Sequence, residues 1–122
     1  MKKLLFVAAF VLAGVSGAFA QAKYEFRQVT AIESVVPGGL GRSRLLTTDK
    51  DGNLNEIKLE NFFSLVGINF GNIKENDKTI TNMIEGMYAE NWTLENVSTG
   101  VYGAEKSTGI FITRYLFKRE KK

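Results

Sequence analysis

Residues 24–36 are dense in aromatic and β-branched side chains, a pattern that predicts a first strand. The alternation slips between Phe26 and Val29, which predicts a bulge or burial on both sides. Pro37-Gly38-Gly39-Leu40-Gly41 ends the strand, because proline lacks a donor and glycine admits positive φ. Residues 42–48 and 54–58 flank Asp49-Lys50-Asp51-Gly52-Asn53, a hairpin signal built on Asp-Gly.

The middle of the chain changes period. Leu59, Phe62, Phe63 and Val66 fall at i, i+3, i+4 and i+7, which predicts a first helix of about two turns with Gly67 as its C-cap. Residues 68–73, interrupted by Gly71, read as a short strand or an ordered loop. A second and clearer helix follows, with Asn76 or Asp77 as N-cap and Ile80, Met83, Ile84, Met87 and Tyr88 on one face, ending near Asn91. From Trp92 the period is two. A second hairpin is expected there, with its loop at residues 103–109 and a return strand at 110–117 whose apolar residues on both faces suit an interior place in a sheet. These elements give an α+β fold: an antiparallel sheet of four or five strands with two amphipathic helices on one face.

The N-terminus reads differently. Lys2-Lys3, an apolar run of about ten residues and the Ala18-Phe19-Ala20 cleavage pattern make residues 1–20 a cleaved signal peptide, leaving 21–122 as a single α+β domain with a short basic tail. The run is too short to span a bilayer, and no later stretch is long enough, so no integral membrane segment is expected after cleavage. The protein is accordingly expected in the periplasm or outside the cell. Removing the first twenty residues takes two of the 16 basic side chains and none of the 13 acidic ones, so the net charge falls to +1. Such a balance does not suit nucleic acid, which wants a basic face and not a basic terminus.

Absent residue types exclude much chemistry. Without His or Cys there is no Ser-His-Asp triad, cysteine nucleophile, imidazole or thiolate zinc site, or common haem or iron-sulfur ligation. No cofactor and no metal are expected. Asp49-Lys50-Asp51-Gly52-Asn53-Leu54-Asn55-Glu56 resembles a calcium loop superficially, but an EF-hand counted from Asp49 would need glycine where Leu54 stands, so a hairpin turn is the better reading.

One stretch resembles a known group. Met87-Tyr88-Ala89-Glu90-Asn91-Trp92-Thr93-Leu94, with a last strand closing in Tyr115-Leu116-Phe117-Lys118-Arg119 and an opening Tyr24-Glu25-Phe26, resembles the small bacterial proteins of domain of unknown function 4177. Asn91 stands where that pattern has Gly and Thr93 where it has Glu; Asn tolerates the left-handed conformation that the helix exit needs. Residues 37–75 would be an insertion. The resemblance implies antiparallel strands with a packed helix, and no activity.

The best site candidate is the run Gly38, Gly39, Gly41, Arg42 and Arg44, where backbone N–H groups and two guanidinium groups could surround an anion; the alternative is a solvated turn. It lacks the Lys-Ser/Thr ending of a P-loop. Glu33 and Glu95 lie in strands beside apolar neighbours and are the acids to test for a carboxylate-dependent hydrolase. Trp92 reads as a core anchor. The function expected is a non-enzymatic binding or structural module of the bacterial envelope, whose partner is an anionic ligand or an envelope protein. A small exported inhibitor of an envelope or host hydrolase is the alternative. A homo-oligomer is also open, should residues 24–36 form an edge strand.

Overall fold

The computed structural model describes residues 23–39, 41–104 and 108–122; the signal peptide expected at 1–20 lies outside the described residues. In chain order the elements are β1 (Tyr24–Val35), a 3-10 turn (Pro37–Gly39), β2 (Arg44–Thr48), β3 (Leu54–Lys58), β4 (Phe63–Ser64), β5 (Gly67–Ile68), α1 (Phe70–Ala89), β6 (Thr93–Ala104) and β7 (Thr108–Glu120). Five strands form one antiparallel sheet in the order β3-β2-β1-β7-β6, and β4 and β5 form a separate small hairpin.

β1 is the middle strand, paired with β7 from Tyr24↔Glu120 to Val35↔Gly109 and with β2 on its other side. It therefore offers no open edge, so the homo-oligomer that an edge at residues 24–36 would have allowed does not arise through this strand. Its register is unbroken against both neighbours, so the expected bulge is absent; the sheet's irregularity falls in β6, between Leu94 and Asn96. Nor is the strand buried on both sides at the slip. Val29 and Ala31 point inward and are fully buried, whereas Phe26 points to the opposite side and is 56% exposed.

Among the described residues, only one side of the sheet is covered. Val29, Ala31, Leu45 and Phe117 share a face and pack with Leu59, Met87 and Trp92, while Ile80, Met83 and Ile84 of α1 close over them. The opposite side carries Phe26, Gln28, Thr30 and Ile32 of β1 beside Ile112, Arg114 and Leu116 of β7, none of them fully buried.

The sheet holds five strands, but among the described residues one helix packs on it, not two. The stretch expected as a first helix is extended because its backbone groups are taken elsewhere: Leu59 N donates to Ser43 O at 3.1 Å and Phe62 N to Ser34 O at 3.0 Å. Glu60 N donates to Asn76 Oδ1 at 2.7 Å, and Glu60 O accepts from Asn76 Nδ2 at 2.8 Å. The Glu60 carbonyl is thereby taken from Ser64 N, its partner in a helix, and the bonds of Leu59 N and Phe62 N to Ser43 and Ser34 draw the segment along the sheet instead. Leu65 and Val66 are 89% and 96% exposed, and Gly67, with φ 117°, belongs to the β4–β5 hairpin and caps no helix.

α1 starts earlier than its apolar stripe suggests. Asn69 is the N-cap, accepting from Asn72 N at 3.1 Å, and Asn76 sits inside the helix, 1% exposed. The exit is a Schellman motif: Asn91 has φ 65°, Asn91 N donates to Tyr88 O and Trp92 N to Met87 O, both at 3.0 Å. Met87 and Trp92, joined by that motif, also meet in the core.

Candidate functional site

The Gly-rich segment is a packed turn. Gly38 has φ 79°, a conformation that glycine adopts without strain, and a side chain there would meet open space. Gly41 is constrained by space instead: a Cβ there would stand 2.4 Å from the Ser34 Cβ. Next to it, buried Ser43 accepts through Oγ from Ser34 N at 2.8 Å and donates to Asn61 Oδ1 at 2.9 Å. Gly41→Ala should therefore cost about 1–3 kcal/mol by overpacking. A shift in the urea midpoint measures this, and an unchanged midpoint would show that the turn relaxes freely.

The two arginines of that segment are not equivalent. Arg44 Nε pairs with Glu56 of β3, and Arg44 Nη1 donates to Ser43 O at 2.7 Å, so its charge is already met. Arg42 is exposed, and Gly39 closes the 3-10 turn. The segment thus brings beside the glycines one guanidinium that has no ion-pair partner among the described residues, where the sequence offers two.

A different arginine stands in a more open setting. Arg114 lies on the uncovered side of β7, with Thr30 of β1 opposite on one flank and Ser98 of β6 on the other. It is exposed and has no ion-pair partner among the described residues. Ser98, Thr99, Gly100, Ile112 and Arg114 line a depression of about 170 Å³. Gly100 makes the room, since nothing lies within 4 Å of where its Cβ would be. A guanidinium and a serine on neighbouring strands of one rigid sheet suit a carboxylate or a phosphate oxygen. The signal was present in the alternation of residues 112–116, which sets Arg114 on the same face as Ile112 and Leu116.

The candidate acids do not form a pair. Glu33 faces Phe111 across the sheet, whereas Glu95 lies beside the Leu94↔Phe117 pair, six residues further along β7, or about 20 Å. That exceeds the separation of roughly 5–9.5 Å used by paired glycosidase carboxylates. Glu95 is instead bonded to Lys118, Oε2 to Nζ at 2.8 Å. The loop at Asp49 is a turn: its carboxylate accepts from Asp51 N, Asn53 N and Asn53 Nδ2 at 2.8–2.9 Å, which holds its pKa below the usual range. Among the described residues no group of three acidic side chains is gathered to hold a metal ion.

Glu33 has an environment of its own. Burial pushes its carboxyl above the usual carboxylate range, the Asn76 amide at 3.1 Å pulls it down, and Asp77 nearby pushes it up again. The folded state thus holds this proton more tightly than the unfolded chain does. The stabilisation is full below the ordinary value of 4.5 and is lost as pH rises through the folded value. Glu33→Gln retains an oxygen for Asn76 and removes the titration. Urea unfolding between pH 4 and 8 should show wild-type stability falling, relative to Glu33→Gln, on the alkaline side of this window; parallel curves would exclude Glu33 as the source.

At the far end of the sheet, Trp92 is 2% exposed, with the guanidinium carbons of Arg27 and Arg119 at 4.6 and 4.3 Å from its ring centroid. Arg119 donates to Glu25 Oε1 at 2.7 Å and to Glu90 O at 2.9 Å, and Arg27 pairs with Glu90 at 3.5 Å. These charges are matched, and the arrangement fastens the C-terminal end of α1 to β1 and β7. It is a structural clamp, in line with the anchor role expected of Trp92. Comparison of the chain with protein-family models, with curated proteins and with solved structures finds no match.

Proposed function

We propose that the protein is an exported, non-enzymatic binding module of the bacterial envelope that recognises an anionic group, carboxylate or phosphate, on a partner presented to the uncovered side of its sheet. The supporting observation is Arg114: an exposed guanidinium without an ion-pair partner among the described residues, held on a strand paired on both sides, beside Ser98 and the gap over Gly100. Ile112 and Leu116 flank it on the same face, giving a partner apolar contact around the charge. Arg42 supplies a second exposed cation, and Arg44 is committed to Glu56. Export is carried by the pattern of residues 1–20. The likeness to the domain of unknown function 4177 proteins belongs to the same proposal, since the residues that carry it form the helix exit, the tryptophan clamp and the last strand.

Thermal unfolding in inorganic phosphate, sulfate and polygalacturonate tests the proposal. A ligand at about 100 times its Kd stabilises by about 2.7 kcal/mol, a shift of several degrees for a domain of this size. The shift should vanish in Arg114→Gln and persist in Arg42→Ala. A shift lost only in Arg42→Ala would return the anion site to the Gly-rich segment, and no shift with any of the three would overturn the proposal.

A further inference from the structure

The two edges of the sheet are built differently. β3 is five residues long and carries Glu56 and Lys58, the short, charged edge that resists further pairing. β6 is twelve residues long, and from Asn96 to Gly103 it has no proline, lysine, arginine, aspartate or glutamate. One flank of β6 pairs with β7, and among the described residues nothing pairs with the other. Val97, Val101 and Tyr102 are 47%, 69% and 64% exposed. A long uncharged edge with exposed apolar side chains is a template for one more strand.

The sequence of that edge identifies the strand it fits. Val97-Ser98-Thr99-Gly100-Val101 has valine at both ends, threonine at its centre and a small residue on each side of the centre. We infer that β6 pairs antiparallel with β6 of a second copy of this chain, about a two-fold axis at Thr99. Val97 then lies opposite Val101 of the other copy, Thr99 opposite Thr99, Ser98 opposite Gly100, and Asn96 opposite Tyr102. Because side chains alternate, both Val97–Val101 contacts fall on the helix side of the sheet, where each valine is exposed in the single chain. Valine–valine and threonine–threonine neighbours are favourable cross-strand pairs, and no like charges meet between Asn96 and Tyr102. The bulge at Leu94/Asn96 ends the straight segment just beyond the last of these pairs. The product is a closed dimer with a continuous ten-stranded sheet and both helices on one side. The pairing stands independently of the anion site at Arg114.

The axis gives the test. Wild-type protein should sediment at twice the monomer mass at concentrations near 100 μM. Thr99→Lys and Thr99→Asp each place like charges face to face and should raise the dimer Kd by about tenfold or more. An equimolar mixture of the two should restore the dimer, which neither variant would do by merely unfolding. As the chain has no cysteine, Thr99→Cys should oxidise to a disulfide-linked dimer, while Asn82→Cys on the exposed side of α1 should not. A monomeric wild type, dimers that persist in both charge variants, or charge variants that stay monomeric when mixed would each overturn the inference.

Discussion

Trp92→Ala should destabilise the protein by about 3–5 kcal/mol, a large share of the roughly 5–15 kcal/mol available to a domain of this kind. Trp92 is the one tryptophan of the chain, so urea unfolding is to be followed by far-ultraviolet circular dichroism. The expected size reflects three roles in one side chain. Its ring fills the core beside Met87 and Phe117, its backbone N–H closes the Schellman motif on Met87 O, and its face carries the guanidinium groups of Arg27 and Arg119. Alanine keeps only the backbone bond. Trp92→Phe keeps an aromatic face and should cost about 1–2 kcal/mol, because the indole N–H has no acceptor among the described residues and its loss forfeits no hydrogen bond. Equal losses in Trp92→Ala and Trp92→Phe would mean that the ring face is not what holds the arginines.

The second large effect is expected at Asn76. It is 1% exposed and makes three hydrogen bonds, to Glu60 N, Glu60 O and the Glu33 carboxylate. Asn76→Ala leaves an amide N–H and a carbonyl of the crossing segment without their partner and should cost about 2–4 kcal/mol. Asn76→Asp should be worse at neutral pH, since it cannot donate to Glu60 O and sets a third carboxylate near Glu33 and Asp77. Acid should then relieve it: as pH falls and the carboxyls protonate, the gap between Asn76→Asp and Asn76→Ala should narrow. An Asn76→Asp protein as stable as wild type at pH 7 would contradict the role assigned to this amide.

The same residues explain what could be read from the sequence. Strands β1 and β7 follow from their dense aromatic and β-branched side chains, β2 and β3 from the turn between them, and Gly52, with φ 84°, marks that first hairpin in the way Asp-Gly suggests. The C-terminal half of α1 follows its apolar stripe, and Asn91 takes the left-handed exit that its residue type allows. The segment from Leu59 to Val66 misled because helical spacing of its apolar residues is a local signal, while the partners that hold it extended, Ser34, Ser43 and Asn76, lie 16 or more residues away. Asn76 looked like a cap for a related reason: a polar residue before an apolar stripe usually is one, and its burial depends on a loop arriving from elsewhere. At the site, glycine and arginine spacing pointed to residues 38–44, but only the sheet register pairs Arg44 with Glu56 and sets Arg114 beside Ser98.

The most direct measurement of the central claim, an anion site on the uncovered side of the sheet, is a nuclear magnetic resonance titration of isotopically labelled protein with inorganic phosphate, following the Arg114 Nε–Hε signal and the amides of Ser98, Gly100 and Ile112. Saturable shifts at Arg114 and these three neighbours, absent in Arg114→Gln, are the expected result. Shifts confined to Arg42 and residues 38–41, or none that saturate, would contradict it.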